Sequence, residues 1–383
     1  MRPTSVSRGL SLLCLLLLGA CSGTPPTSAE TVTSELHRIR IVPLVDGLVH
    51  PWGMAFLPDG RMLVTERAGR LRLIGAGHEL VERPVAGLPE HIEAVGQGGL
   101  LDVALDPDYA DNSLIYLSYA GRGEGGLGTE VARGRFDPEA LRLENVEILF
   151  RALPKSGGGR HFGGRLVFAP DGRLFLTLGD RGQMQRAQDL GDHAGSLIRI
   201  EPDGGVPGDN PFRDRADARP EIYSYGHRNM QGAALHPDSG RLWTHEHGPR
   251  GGDEVNRIQA GANYGWPRVT HGIDYDGSII SEQTYLPGLE PPIHFWDPSI
   301  APSGMTFYSG DAFPRWRGHL FAGALKYRLL VRLELDGNRV VHEERLLEDR
   351  IGRIRAVNQG PDGHLYLLTD AADGHLLRLE PND

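Results

Sequence analysis

From His37 onward, apolar and polar residues alternate in short runs that turn residues separate. Residues 39–42 (IRIV) and 61–65 (RMLVT) are two such runs. A period of two is typical of β-strands with one covered face, and no apolar run of helical period exceeds a turn or two. The pattern therefore predicts an all-β chain built from short strands.

One unit recurs along the chain: an apolar strand, a Pro-Asp-Gly turn and a second apolar strand. It is clearest at 54–64 and 166–176, and further copies, some looser, lie at 103–108, 234–238, near 307–321 and at 361–367. In such a turn Pro presets φ and Gly accepts a positive φ. Six units spaced by roughly 45 to 80 residues fit blades arranged around an axis. The sequence predicts a six-bladed β-propeller of four-stranded antiparallel blades over residues 37–383, with seven blades or an unrelated all-β fold left open.

The first residues are typical of a targeting segment. A positively charged start precedes an apolar run at 10–18 that is too short to span a membrane. The run ends in Leu-Gly-Ala-Cys, which resembles the processing site of bacterial lipoproteins. We therefore expect a signal peptide at 1–20, a lipidated Cys21 and a tether at 21–36. By the same resemblance, the serine after Cys21 favours anchoring to the outer membrane, on its periplasmic side. The alternative for the whole segment is an ordinary secretory signal.

Composition narrows the function classes. The net charge is −10 and no Lys/Arg run occurs, so the sequence gives a nucleic-acid partner no support. No Gly-x-Ser-x-Gly motif is present, and no Gly-x-Gly-x-x-Gly lies between a strand and a helix. Only Lys155 and Lys326 are lysines, which makes each conspicuous.

Glycine-rich polar clusters interrupt the strands at intervals. They are 97–100 (QGGL), 161–165 (HFGGR), 179–182 (GDRG), 226–229 (GHRN), 245–254 (HEHGPRGGDE), 263–267 (NYGWP), Lys326 and 353–355 (RIR). In this order they resemble the soluble aldose and glucose dehydrogenases that use pyrroloquinoline quinone (PQQ), from about Pro51 to the C-terminus. The resemblance implies a six-bladed propeller that oxidises an aldose sugar at C1 to the lactone. It also implies calcium and an external electron acceptor.

The resemblance assigns the cofactor site residue by residue. PQQ is planar and carries three carboxylates, so its site needs fixed cations, and guanidinium groups hold carboxylates through paired hydrogen bonds. Arg353 and Arg355 alternate on one strand and so point the same way. The implied cofactor-binding residues are Gln97, Arg228, Asn229, Lys326, Arg353 and Arg355.

The resemblance also assigns the catalytic residues, which are His161, Asp180 and Arg228. Oxidation at C1 requires removal of the hydroxyl proton as the hydride leaves, and an imidazole that titrates near neutral pH suits this task. Asp180 would orient the His161 ring and stabilise its protonated form. Spacing alone favours the simpler interpretation of His161 as one more histidine in a glycine-rich loop, and the resemblance reverses that preference.

Calcium is the other cofactor that the resemblance implies. The carbonyls of Gly248 and Pro249 would face the calcium that polarises the quinone, and Glu254 and Tyr264 match further ligand positions. The alternating histidines of 245–247 (HEH) leave zinc open, although no third ligand lies nearby in the sequence.

Two other functions stay open. A calcium-dependent propeller lactonase would need carboxylate and Asn ligands around the axis, and a binding propeller would need no catalytic base. The substrate-facing wall is expected to include Trp296 and Tyr275, and the protein to be a monomer or a homodimer.

Overall fold

The computed structural model describes residues 28–382. The predicted signal peptide and Cys21 lie outside these residues. Within the described part of the chain, no helix is long and apolar enough to cross a membrane.

Short strands make up nearly all of the regular structure. In chain order they are β1 (Glu30–Thr33), β2 (Arg38–Leu48), β3 (Pro51–Phe56), β4 (Met62–Glu66), β5 (Arg70–Ile74), β6 (Leu100–Leu105), β7 (Leu114–Gly123), β8 (Gly126–Asp137), β9 (Arg142–Arg151), β10 (Leu166–Phe168), β11 (Leu174–Thr177), β12 (Ser196–Ile200), β13 (Ile222–Tyr225), β14 (Met230–Leu235), β15 (Leu242–Glu246), β16 (Asp253–Arg257), β17 (His294–Trp296), β18 (Pro302–Phe307), β19 (Leu320–Ala324), β20 (Leu330–Asp336), β21 (Arg339–Leu346), β22 (Ile354–Gln359), β23 (Leu365–Thr369) and β24 (Gly374–Pro381). In residues 28–382 the helices are one turn of α-helix at Tyr109–Asn112 and the 3-10 segments Met184–Gln188 and Pro314–Trp316.

The strands of the described chain form six antiparallel sheets, and the prediction of an all-β, six-bladed propeller is confirmed. Four sheets have four strands each: β6 to β9, β10 to β13, β14 to β17 and β18 to β21. A fifth sheet contains only β3, β4 and β5. The sixth has the order β1-β2-β24-β23-β22 and closes the ring, because β2 from the N-terminal part pairs with β24 from the C-terminal part. The innermost strands β3, β6, β10, β14, β18 and β22 each contact the next around the axis.

The predicted turns form as expected. Gly60, Gly172 and Gly363 have φ values of 86°, 82° and 78°, and each donates its N–H to the carbonyl three residues earlier. Each turn connects the first and second strands of its sheet, so local chemistry alone specifies this hairpin.

The predicted tether is wrong in part. Glu30–Thr33 pairs antiparallel with residues 38–41 of β2 and so belongs to the closing sheet. The backbone N–H of Glu35 also donates to the Glu344 carboxylate. A free sheet edge beside β2 offers hydrogen bonds that the tether interpretation of this Thr-rich stretch ignored.

Alternation of the strands brings particular loops to one end of the propeller. The segments before β6, β10, β14 and β22 and those after β4, β11, β15 and β19 meet at the same end of the ring, since successive strands run in opposite directions. Every polar cluster that the sequence singled out except the 263–267 stretch lies in or beside one of these segments. The last comes back to this end through a parallel bridge between Tyr225 and Asn263.

Candidate active site

A cavity of about 460 Å³ opens at this end of the axis. Its volume lies within the range of small-molecule sites. Its lining residues come from all six blades and are Trp52, Arg67, Gln97, Phe162, Gly163, Asn229, Gln231, His247, Ala301, Leu325, Lys326, Arg353 and Arg355. Five of the six predicted cofactor-binding residues are among them; Arg228 is the exception.

The lining is strongly cationic. It includes Arg67, Lys326, Arg353 and Arg355 and no carboxylate. Asp370 lies just behind, where its Oδ2 accepts hydrogen bonds from Arg353 and Arg355 at 3.1 and 3.3 Å. Burial raises the pKa of Asp370, but Arg355, His50 and Arg353 outweigh burial and hold the pKa below its ordinary value. One ionised carboxylate therefore faces four cations, and the cavity favours an anionic ligand.

The neutral lining groups are held in fixed orientations. Gln231 accepts from Arg355 Nη1 at 3.1 Å, and its amide nitrogen lies 3.2 Å from Asn229 Oδ1. Gln97 accepts the backbone N–H of His161 at 2.8 Å, which leaves the Gln97 amide nitrogen for a ligand. The cavity is thus preorganised.

His161 lies beside the cavity in a strained stretch of backbone. Its φ is 55°, in the left-handed region, and Gly163 follows at 64°. A Cβ at Gly163 would stand 2.4 Å from the Thr177 carbonyl oxygen, so only glycine fits there. The hydrogen bond from His161 N–H to Gln97 stabilises this strained conformation.

The His161 imidazole is paired with Asp180. Nδ1 lies 2.6 Å from Asp180 Oδ1, and the side chains are 10% and 1% exposed. Burial raises the pKa of Asp180, but the His161 hydrogen bond and charge, with Arg228, lower it further than burial raises it. The carboxylate is therefore ionised and can only accept, so His161 Nδ1 donates and Nε2 carries the lone pair.

The balance of charges sets the basicity of His161. Burial lowers its pKa and Arg228 lowers it too, while the hydrogen bond to Asp180 raises it; the pKa ends below the ordinary value of 6.5. The ring is therefore neutral at pH 7 and can accept a proton at Nε2.

Arg228 lies between this pair and a second, much smaller cavity. Its Nη1 donates to the carbonyls of His247 and Gly248 at 3.1 and 2.8 Å. Its guanidinium carbon lies 5.4 Å from the centre of the Trp266 ring and 5.9 Å from that of Tyr275. Arg228 is thus placed beside the catalytic pair, but outside the lining of the large cavity.

The small cavity has about 10 Å³ of space, enough for one water or ion. Of the predicted calcium ligands, Gly248, Glu254 and Tyr264 line it and Pro249 does not. Glu246 also lines it and lies directly opposite Glu254 across β15 and β16. Burial, and then Glu246, raise the pKa of Glu254 well above its usual range. One buried and one partly buried carboxylate beside an ion-sized space are oxygen ligands of the kind that calcium prefers.

The two histidines considered for zinc have different surroundings. His247 Nε2 donates to the Pro302 carbonyl at 2.6 Å, whereas both ring nitrogens of His245 are buried without a partner among the described residues. No group of three His, Cys, Asp or Glu side chains arranged for a metal occurs in residues 28–382.

A Ser-His-Glu arrangement that no sequence motif indicates lies beneath Arg228. Ser224 Oγ lies 3.0 Å from His227 Nε2, and His227 Nδ1 lies 2.8 Å from Glu246. Ser224 and His227 are completely buried, and Ser224 lines none of the cavities described above. A nucleophile that no substrate can reach does not define a hydrolase. The arrangement instead fixes Glu246, which accepts the backbone N–H of Arg228.

Tyr275 and Trp296, the two residues expected in the substrate-facing wall, have different surroundings. Tyr275 is 65% exposed, and its ring lies 5.9 Å from the Arg228 guanidinium carbon, outside the lining of the large cavity. Trp296 is wrong for this role: it is 3% exposed in the core, and its indole N–H donates to Glu343. Sequence reasoning also missed Arg67 and Trp52 in the lining, for which no local signal exists.

Comparisons with known proteins agree with this geometry. Residues 48–378 match the model of the Glucose / Sorbosone dehydrogenase family, and the chain belongs to this family. It is 47% identical to "Aldose sugar dehydrogenase YliI" of Escherichia coli K12, over 90% of this chain and 94% of that protein. It is 27% identical to "Quinoprotein glucose dehydrogenase B" of Acinetobacter calcoaceticus, over 95% and 92%. It also resembles the PQQ-bound form of an aldose sugar dehydrogenase from Streptomyces coelicolor, with a TM-score of 0.75, 29% identity and coverage of 94% and 100%.

Proposed function

We propose that this protein is a PQQ-dependent dehydrogenase that oxidises aldose sugars at C1 to lactones. The observation that carries the proposal is the cationic, carboxylate-free cavity next to the His161–Asp180 pair. The family membership and the PQQ-bound relative support it.

The charge and the polar groups of the cavity lining fit the cofactor. Lys326, Arg353, Arg355 and Arg67 would hold its three carboxylates, and Gln97 and Asn229 would donate to its neutral oxygens. Trp52 and Phe162 contribute aromatic side chains to the lining, which suits a planar ring system. When bound, PQQ supplies the acceptor for the hydride from C1.

The residues of this chain perform the proton chemistry. His161 Nε2 accepts the proton of the C1 hydroxyl, and the resulting imidazolium is stabilised by Asp180 through the Nδ1 hydrogen bond. Arg228, 6% exposed, adds positive charge at the site and lowers the pKa of His161. Tyr275 would give the sugar an exposed aromatic surface beside Arg228.

We further propose calcium at the small cavity, bound by Glu254 and the carbonyls of Gly248 and Tyr264. Pro249 would contribute a carbonyl to a calcium facing the cofactor. The Gly248 carbonyl accepts from Arg228, and its second lone pair remains for the ion.

Reconstitution tests the proposal directly. Residues 22–383 are purified, treated with a chelator, and supplied with PQQ and calcium separately and together; dye reduction is followed with a panel of aldoses. We expect sugar-dependent reduction only when both are added. Failure of PQQ to bind would contradict the proposal.

Lys326 offers the clearest test of the cationic site. It is exposed and makes no ion pair among the described residues, so its removal leaves the fold intact. We expect Lys326→Met to weaken PQQ binding about 10-fold or more, because a charged hydrogen bond is lost. Isothermal titration measures this, with the exposed surface variant Arg339→Met as control. If the two variants bound PQQ with equal affinity, Lys326 would not be a cofactor-binding residue.

The lactonase alternative fits less well. It requires carboxylate and Asn ligands around the axis, whereas the cavity lining contains Asn229 and no acidic side chain. Lactone hydrolysis without added PQQ is the assay that would favour it.

The location and partners of the protein remain proposals from the sequence. We propose a periplasmic protein anchored to the outer membrane through a lipidated Cys21, with an external electron acceptor. Membrane fractionation of the full chain and of Cys21→Ser tests the anchor.

A further inference from the structure

The second oxygen of Asp180 has a partner that no sequence pattern indicated. Oδ1 accepts from His161 and from the backbone N–H of Gly182 at 2.7 Å. Oδ2 accepts from Trp266 Nε1 at 2.8 Å, across 86 residues of sequence. Both oxygens of a carboxylate that is 1% exposed are therefore engaged.

The indole itself is held firmly. Trp266 is 6% exposed, its backbone N–H donates to the Gly226 carbonyl at 2.9 Å, and its carbonyl accepts from Gln188 at 2.7 Å. Its ring also faces the Arg228 guanidinium. A donor that cannot move fixes the plane of the carboxylate to which it donates.

The orientation of that plane decides which nitrogen of His161 can act. With Oδ1 aimed at Nδ1, the imidazole must donate there and keep Nε2 free of a proton. If the carboxylate could rotate, the opposite tautomer would become populated, and Nε2 would carry a hydrogen instead of accepting one.

We propose that Trp266 is a positioning residue that holds Asp180 in the plane required for His161 to act as the base. This inference rests on the proposed function for its catalytic meaning, whereas the tautomer itself can be measured without cofactor or substrate.

Trp266→Phe removes the indole N–H and keeps an aromatic ring. The control is Trp243→Phe, because Trp243 is fully buried and its indole N–H has no partner among the described residues. Nitrogen-15 spectra of the imidazole in PQQ-free protein, with the His161 signal assigned by its loss in His161→Asn, report the tautomer. We expect the Nδ1–H form in the wild type and in the control, and a mixture in Trp266→Phe.

Turnover of the reconstituted enzyme gives the second measurement. We expect Trp266→Phe to lower kcat about 10- to 100-fold, as the loss of a buried hydrogen bond implies, with KM within about 2-fold. An unchanged tautomer, or an unchanged kcat, would overturn the inference. Should Trp266→Phe not fold, benzothienylalanine at 266 keeps the shape of the indole and removes only the donor. Absence of turnover in the wild type would instead defeat the proposed function and leave the tautomer experiment valid.

Discussion

His161→Asn is expected to lower kcat by about 10² to 10⁴, the range that a general base contributes, while PQQ binding stays nearly unchanged. The asparagine cannot take the C1 hydroxyl proton. It disturbs the cofactor little, because His161 is not among the residues that line the large cavity. The backbone N–H to Gln97 is also retained. Steady-state kinetics and titration with PQQ measure the two effects separately.

The pH dependence of kcat/KM is a second test of His161 as the general base. Because burial and Arg228 bring the pKa of His161 below 6.5, kcat/KM in the wild type should be level near neutral pH and fall only as the pH drops through that lower pKa. This acidic limb should vanish in His161→Asn. Loss of PQQ binding in the variant, or an acidic limb that survives, would mean that the base is another group.

The parts of the fold that the sequence predicted are those that local chemistry determines. A Pro-Asp-Gly turn needs no distant partner, so Gly60, Gly172 and Gly363 could be assigned from their neighbours alone. The pairing of Glu30–Thr33 with β2 depends on whether a sheet edge is free, which is a property of the assembled ring. The sequence also predicted four strands in every blade, whereas the sheet of β3, β4 and β5 has three. The number of strands in a blade likewise depends on the assembled ring and not on a local motif.

The candidate site likewise contains residues that could be assigned from the sequence and residues that could not. Family resemblance brought His161, Asp180 and five cavity residues together, although spacing alone could not. Arg67 was missed because one arginine among many, just after β4, carries no local signal of its orientation. Trp266 lay inside a segment that the sequence singled out, but its contact with Asp180 exists only after the loop following β16 folds back to the axis.

Arg165 illustrates a role that no sequence pattern reveals. It precedes β10 and is buried beneath the cavity, with its guanidinium 3.9 Å from the Trp52 ring. It donates to the Gln231 and Arg355 carbonyls at 2.9 Å and lies 3.4 Å from Asp102. These partners belong to the innermost strands of four other blades, so one side chain ties five blades together at the axis.

Arg165→Met is therefore expected to lower the free energy of unfolding by about 3–5 kcal/mol, because it leaves the buried Asp102 carboxylate without its cation. Urea unfolding measures this, and Arg339→Met, whose side chain is exposed, should change stability by less than about 0.5 kcal/mol. Replacing both partners, in Arg165→Met with Asp102→Leu, should recover part of the loss, since apolar groups of similar size need no counter-charge. The recovery should be incomplete because Asp102 also accepts the Leu166 N–H. If Arg165→Met were as stable as Arg339→Met, the prediction would be wrong. Water would then have to solvate the Asp102 carboxylate at the axis.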